Sequence, residues 1–243
     1  MDRTRIRSEA LFGKGATELL KGKTVAVLGL GGVGCSACEA LCRSGIGRLI
    51  LVDSDKFEKS NLNRQLFATR SSIGKWKTEV ARDRIKEIDE ETEVVCYNEL
   101  FLPDNSSFLF ENKIDFVVDA IDNITAKIFL IKSCKEKGIP IVSCFGTGSR
   151  VKPELLCLGK LSDTSGSGCA IAKIMRKELR KLGITDLDVV FSKEEAIKPK
   201  LDIKELGEGR FIPSSPFVPN SAGLILASFV VRSLIIRLNF LSN

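Results

Sequence analysis

The sequence predicts an α/β protein: a doubly wound, Rossmann-like, mostly parallel sheet with helices on both faces. Three observations carry this reading. Short runs are apolar at every position, helical stretches alternate with them, and a glycine turn joins the first run to the first helix. Thr24 to Leu28 is a β-branched run that stops at Gly29, and Val33 to Ser44 then has helical spacing. Arg48 to Asp53 reads as the second strand, Lys75 to Ile88 as a helix, and Glu93 to Tyr97 as the third strand. Ile114 to Asp119 follows as strand, Ile124 to Lys137 as helix and Ile139 to Cys144 as strand. Right-handed crossovers between such units make the strand order 3-2-1-4-5 the expected one.

Beyond Gly148 the alternation loosens. An apolar piece at Leu155 to Leu158 and a Ser/Gly-rich loop at Ser162 to Gly168 precede a helix from about Ala170 to Leu182. In that helix Ile171, Ile174, Met175, Leu179 and Leu182 recur at packing positions, and Lys173, Arg176, Lys177, Arg180 and Lys181 take the other side. The cationic side is a candidate nucleic-acid contact face, and a solvated amphipathic surface is the competing reading. Pro213, Pro216 and Pro219 punctuate an extended segment before an apolar helix from Ala222, which is expected to pack back on the sheet. Residues 1–243 read as one domain, with 1–148 as the nucleotide-binding core and 149–243 as an extension that faces substrate and completes the packing.

Composition narrows the chemistry. The chain has no histidine, which removes Ser-His and Cys-His nucleophile pairs, His metal ligands and imidazole proton transfer. Catalysis must then use Lys, Arg, Asp, Asn, Cys or a bound metal. The net charge is +6, and residues 151–243 hold 14 basic against 10 acidic residues, a lean toward an anionic partner. The longest apolar stretch, Ala222 to Leu241, is broken by Arg232 and Arg237, so no membrane span is expected. The basic N-terminus has no apolar region behind it, so no secretory signal is read and a cytoplasmic location is expected.

Gly29, Gly31, Gly32 and Gly34 lie in GLGGVG between a strand and a helix, where backbone N–H groups and the helix dipole meet an anion. Asp53, about 20 residues later at the end of the second strand, is placed to accept ribose hydroxyls. These features predict a nucleotide site without choosing between NAD and ATP. The choice comes from Asn61, Asn63, Arg64 and Gln65 in NLNRQ, from Lys77, and from Asp122 and Asn123 beyond the fourth strand. A triphosphate needs positive charge around it and a carboxylate for Mg²⁺. Arg64 and Lys77 supply the first and Asp122 the second. Each has a plainer reading: a surface ion pair for Arg64, a solvated helix residue for Lys77, an N-cap for Asp122.

At GLGGVG, LVDSD, NLNRQ, IGKWKTEVA and VDAIDN the chain resembles the ubiquitin-activating-like adenylating enzymes, the group that includes the ThiF and MoeB sulfur-carrier activators. The resemblance spans nearly the whole chain. It implies that Asp53, Asp55, Arg64, Lys77 and Asp122 line an ATP site. It also implies that Arg7, in RSEALFG, reaches in from the other subunit of a homodimer. RSEALFG, CFGTGS, MRKELRKLGI, VVFSKE and PFVPNSAGLILAS further resemble the branch that dehydrates threonylcarbamoyladenosine in tRNA. Such an enzyme would adenylate the threonyl carboxylate and let the substrate's own ureido group close the ring, so no enzyme nucleophile is needed.

Competing functions remain distinct at this stage. They are adenylation of the C-terminal Gly-Gly of a carrier protein, with a sulfur-transfer partner; an NAD-dependent oxidoreductase; and a nucleotide-sensing scaffold. The resemblance departs from the sulfur-carrier activators in one respect: only Cys35 and Cys38 have C-x-x-C spacing, so no structural zinc is expected. A redox pair at Cys35 and Cys38, and an acceptor role for Cys157 or Cys169, stand against plain packing. A monovalent cation beside CFGTGS is left open.

Overall fold

The computed structural model describes residues 5–13, 15–201 and 212–241, with side chains through 236. The helices are α1 (Ile6–Phe12), α2 (Ala16–Lys21), α3 (Gly32–Ser44), α4 (Lys77–Ile88), α5 (Ser107–Phe110), α6 (Ile124–Glu136), α7 (Ala170–Lys181) and α8 (Phe217–Leu241). The strands are β1 (Thr24–Leu28), β2 (Arg48–Val52), β3 (Glu93–Tyr97), β4 (Phe116–Asp119), β5 (Ile141–Phe145), β6 (Leu156–Lys160) and β7 (Asp188–Ser192).

Among the described residues these strands form one sheet in the order β3-β2-β1-β4-β5-β7-β6. All neighbours are parallel except β6, which runs antiparallel to β7 at the edge. The expected order of the first five strands holds, and 149–243 adds two more strands to the same sheet.

Strands buried on both faces must feed two cores, and the alternation shows how. Val25, Val27, Leu49 and Leu51 pack with α3, α4 and α8. Ala26, Leu28, Ile50 and Val52 pack with α5, α6 and α7. Helix α3 packs against both the sheet and α8, which itself rests on β4 to β7, so small residues fill its packed sides: Cys35, Ala37, Cys38 and Cys42 are fully buried.

Helix α8 begins at Phe217, five residues before the expected start. Pro219 sits in its first turn, where the missing N–H would have had no intrahelical partner, so the proline does not interrupt it. From Phe217 to Ile236 this helix is long and apolar enough to cross a membrane by length and composition. Here Ala222, Leu226, Ala227, Val230, Val231 and Leu234 are buried in the core instead.

Helix α7 also differs from expectation. Ala172, Met175 and Leu179 form its buried stripe, whereas Ile174 and Leu182 are exposed, 40% and 45%, beside the cations. Sequence spacing placed them on the packing side, but that side is narrower than the apolar set.

Candidate nucleotide site

A cleft of about 500 Å³ opens along the carboxyl ends of β1, β2 and β4, the edge where open α/β sheets take ligands. Its floor is the glycine turn. Gly29 has φ +88°, a left-handed value that side chains rarely adopt, and a Cβ there would lie 2.6 Å from the Ala120 carbonyl. A Cβ on Gly34 would lie 1.8 Å from the Gly29 carbonyl, so the turn folds tightly onto the start of α3. Above Gly31 the space is open: a Cβ there would find Gln65 Nε2, 4.0 Å away, as its nearest neighbour. Backbone amides at a helix N-terminus thus face an accessible hollow.

The rim is acidic. Asp53 Oδ2 accepts the Leu30 N–H at 2.6 Å and Oδ1 the Asp55 N–H at 2.8 Å. Burial pushes the Asp53 carboxyl above its ordinary pKa, with Lys77 and the two amides opposing. Lys77 is buried; its Nζ bonds Asp55 Oδ2 at 2.7 Å and lies 3.7 Å from Asp53 Oδ1. The reading of Lys77 as a solvated helix residue is therefore overturned: it is a cation held against two aspartates. Glu99 Oε2 accepts from Asn105 at 3.1 Å. Asp122 is exposed at the cleft and accepts no hydrogen bond among the described residues.

Arg64 donates from Nη1 to the Ser60 carbonyl at 2.8 Å and to Asn63 Oδ1 at 3.0 Å, and pairs with no carboxylate among the described residues. Partial burial lowers its pKa. The surface ion-pair reading of Arg64 is therefore not met. Gln65 is buried beside the glycine turn, and its Oε1 is a buried acceptor without a partner among the described residues. Asn61 caps its own turn, with Oδ1 accepting the Glu58 N–H at 3.1 Å. Asn63 Nδ2 donates to the Ser214 carbonyl at 2.9 Å, tying NLNRQ to the segment before α8.

The helix after β4 is capped by Asn123, whose Oδ1 accepts the Ala126 N–H at 3.0 Å. The cap reading of Asp122 is thus corrected: the next residue does that work, and Asp122 is left for the cleft. Asn123 itself does not line the cleft.

Arg7 does not line its own chain's cleft either. It is exposed on α1, whose neighbour Arg5 pairs with Asp89 beyond α4 and lies against Gly45 beyond α3, at the opposite edge of the sheet. On α7, Lys173, Lys177, Arg180 and Lys181 are exposed; Lys181 pairs with Glu178, and Arg176 Nη1 donates to Thr164 Oγ1 at 2.5 Å.

Sequence reasoning missed the wall opposite the glycine turn, made by Thr147, Gly148, Ile212 and Ser214. It also missed Asn220 on α8, which pairs with Ser36 on α3 and donates from Nδ2 to the Arg64 carbonyl at 3.1 Å. Distance in sequence hid both. Cys35, Cys38 and Cys169 are packing residues, whereas Cys157, on β6, is half-buried. Burial pushes Cys35 up to about 12 and Cys38 well above the ordinary thiol value, so neither offers the thiolate a redox pair requires. Cys169 is buried and its Sγ accepts the Ala172 N–H at 3.5 Å as the cap of α7.

A mostly parallel sheet with a glycine turn at its carboxyl edge, flanked among the described residues by one arginine and one carboxylate without a charged partner, defines a nucleotide-binding α/β domain. The chain belongs to the ThiF family, whose profile matches residues 4–185. It is 40% identical over 239 residues to the tRNA threonylcarbamoyladenosine dehydratase of Bacillus subtilis, covering 94% of this chain and 93% of that protein. The Escherichia coli protein of the same name is 34% identical over 199 residues, covering 79% and 74%. Crystal structures of the E. coli dehydratase with ATP and with AMP superpose with TM-scores of 0.88 and 0.87 at 29% identity. They cover 98% and 96% of this chain, and 96% and 94% of theirs.

Proposed function

We propose that this protein is an ATP-dependent tRNA-modifying enzyme that cyclises threonylcarbamoyladenosine by adenylating its threonyl carboxylate. The observation that carries the reading is the cleft itself: a glycine turn at a helix N-terminus, with a guanidinium and an acid that have no charged partner among the described residues along one sheet edge, in a chain this similar to proteins of that activity. ATP's phosphates would lie on the Gly29–Gly34 turn with Arg64 and Lys77 beside them, its ribose by Asp53 and its base toward Leu100 and Phe101.

Charge balance bears on what else must be present. Asp53, Asp55, Glu99 and Asp122 line the cleft against only Arg64 and Lys77 among the described residues, so its own side chains repel a polyanion. Mg²⁺ fits this donor set, with Asp122 as its free carboxylate; when bound it would screen the phosphate charge. Arg7 from a homodimer partner would add a further cation, which fits its place away from its own cleft.

In the reaction, a threonyl carboxylate oxygen forms a bond to the α-phosphorus and pyrophosphate leaves. The ureido nitrogen or oxygen then attacks the activated carbonyl carbon, AMP departs with the carboxylate oxygen, and the ring closes. Arg64 stabilises charge on the phosphates and the cleft walls hold the reacting ends together. The tRNA would lie along α7, whose N-terminus adjoins the Gly146–Gly148 wall through Cys169. A tRNA substrate fits a cytoplasmic enzyme.

The test is to incubate tRNA bearing the modified base with ATP, Mg²⁺ and the protein, and to follow AMP release. Release that requires this tRNA supports the reading. Release driven equally by a carrier protein with a Gly-Gly end, or none at all, would reject it.

A further inference from the structure

A buried ion pair lies beneath the cleft floor. Lys127 on α6 and Asp119 at the end of β4 meet at 2.7 Å, with side chains 2% and 0% exposed. Asp119 Oδ2 also accepts the Ser143 hydroxyl at 2.7 Å, and its Oδ1 accepts the Ile121 N–H at 3.2 Å. Lys127 Nζ sits 5.4 Å from the Phe145 ring centroid.

Burying two charges carries a large desolvation cost, and a well-packed apolar pair of similar volume is often at least as stable. Stability alone therefore gives little reason for this pair. Its geometry gives another. It fastens the carboxyl end of β4, the middle of β5 and the first turn of α6 to one short segment, residues 120–123. That segment is held on both sides of Asp122: the Ala120 N–H donates to the Leu28 carbonyl at 2.9 Å, the Ala120 carbonyl backs Gly29, the Ile121 N–H donates to Asp119, and Asn123 caps α6. It lines the cleft with Ala120, Ile121 and Asp122, the last without a hydrogen-bond partner among the described residues.

We propose that Lys127 is a positioning residue for adenylation: through Asp119 it fixes the Ile121 N–H, and with it the place of Asp122 relative to the glycine turn. The inference rests on the adenylation reading above. It differs from a purely structural pin in what it moves, because a pin would shift folding stability without changing turnover of the folded enzyme.

The deciding variant is Lys127→Met combined with Asp119→Asn, which removes both charges at nearly constant volume; Lys127→Arg keeps the pair. Melting temperature, amide exchange of residues 120–123 in the ligand-free protein, and kcat and KM for ATP with substrate tRNA are measured. We expect the double variant to melt within about 5 °C of the parent, exchange those amides at least ~10-fold faster and lose ~10-fold in kcat, with KM for ATP within about 2-fold. Lys127→Arg should recover most of the kcat. Parent-like exchange and kcat in the folded double variant would overturn the proposal. If the double variant does not fold, Ser143→Ala decides: exchange faster by roughly 3-fold supports it and unchanged exchange overturns it. A parent protein without tRNA-dependent turnover would tell against the adenylation reading, and amide exchange would still decide the role of Lys127.

Discussion

Asp122 stands apart from the other acids of the cleft. Asp53 is held by two amides, Asp55 by Lys77 and Glu99 by Asn105, so among the described residues of the cleft Asp122 is the carboxylate left for the Mg²⁺ proposed above. Asp122→Asn removes that charge at constant volume and should lower kcat by ~100-fold while ATP affinity, measured by calorimetry, changes by no more than about 3-fold. Parallel losses in both would make it a ground-state binding residue instead. At this scale the sequence was informative where chemistry and spacing coincide. Gly29, Gly31, Gly32, Asp53, Arg64, Lys77 and Asp122 line one cleft, whereas Gly34 does not. It was silent on partners: nothing in the spacing shows that Lys77 is neutralised by Asp55, that Asn123 rather than Asp122 caps α6, or that Asn220 latches the Arg64 backbone from 156 residues away.

Helix α7 carries the clearest test among the elements. Lys173, Lys177 and Arg180 are exposed and form no ion pair among the described residues, and they rise along the helix from the end nearest the cleft. If tRNA phosphates lie on this track, Lys177→Ala with Arg180→Ala should weaken binding and reduce the slope of log affinity against log salt by about 1.5. An unchanged slope in a filter-binding titration would return α7 to the role of a solvated surface. Elements with strong period were legible: β1 to β5 and α3, α4, α6 and α7 fall within a few residues of expectation. Pairing was not legible for β6 and β7, because an edge hairpin-like pair joined through α7 leaves no local pattern. The start of α8 was misread because prolines signal extended chain unless they fall in a first helical turn.

For the whole molecule, the partly buried carboxylates Glu39 and Asp89 link stability to acid. Glu39 is partly desolvated, which raises its pKa, but Arg84 and Arg43 outweigh this and hold it below the ordinary value. Asp89 is likewise desolvated, and Thr92, the Glu91 amide and Arg5 bring it down. Depressed folded values mean stability that is present above the ordinary carboxyl range and lost as pH falls through the folded pKa. Asp53, raised by burial, works the other way, losing stability as pH rises past its ordinary value. Glu39→Gln should therefore flatten the acid limb of a melting-temperature profile below about pH 4.5, leaving the neutral range with little slope. A limb of unchanged steepness would assign acid sensitivity elsewhere.

The proposed homodimer gives a second whole-molecule test. Arg7→Ala and Asp122→Asn, each inactive alone, should regain about a quarter of parental turnover when mixed and exchanged, since half the dimers then hold one complete site. No recovery would mean that Arg7 does not act across subunits.

The central claim, ATP-driven cyclisation of a modified adenosine in tRNA, is tested most directly by nucleoside mass. When tRNA bearing threonylcarbamoyladenosine is treated with the protein, ATP and Mg²⁺ and then digested, that nucleoside should lose the mass of one water. The loss should fail without ATP and with the Asp122→Asn variant. A threonylcarbamoyladenosine peak unchanged by active, ATP-binding protein would contradict the account.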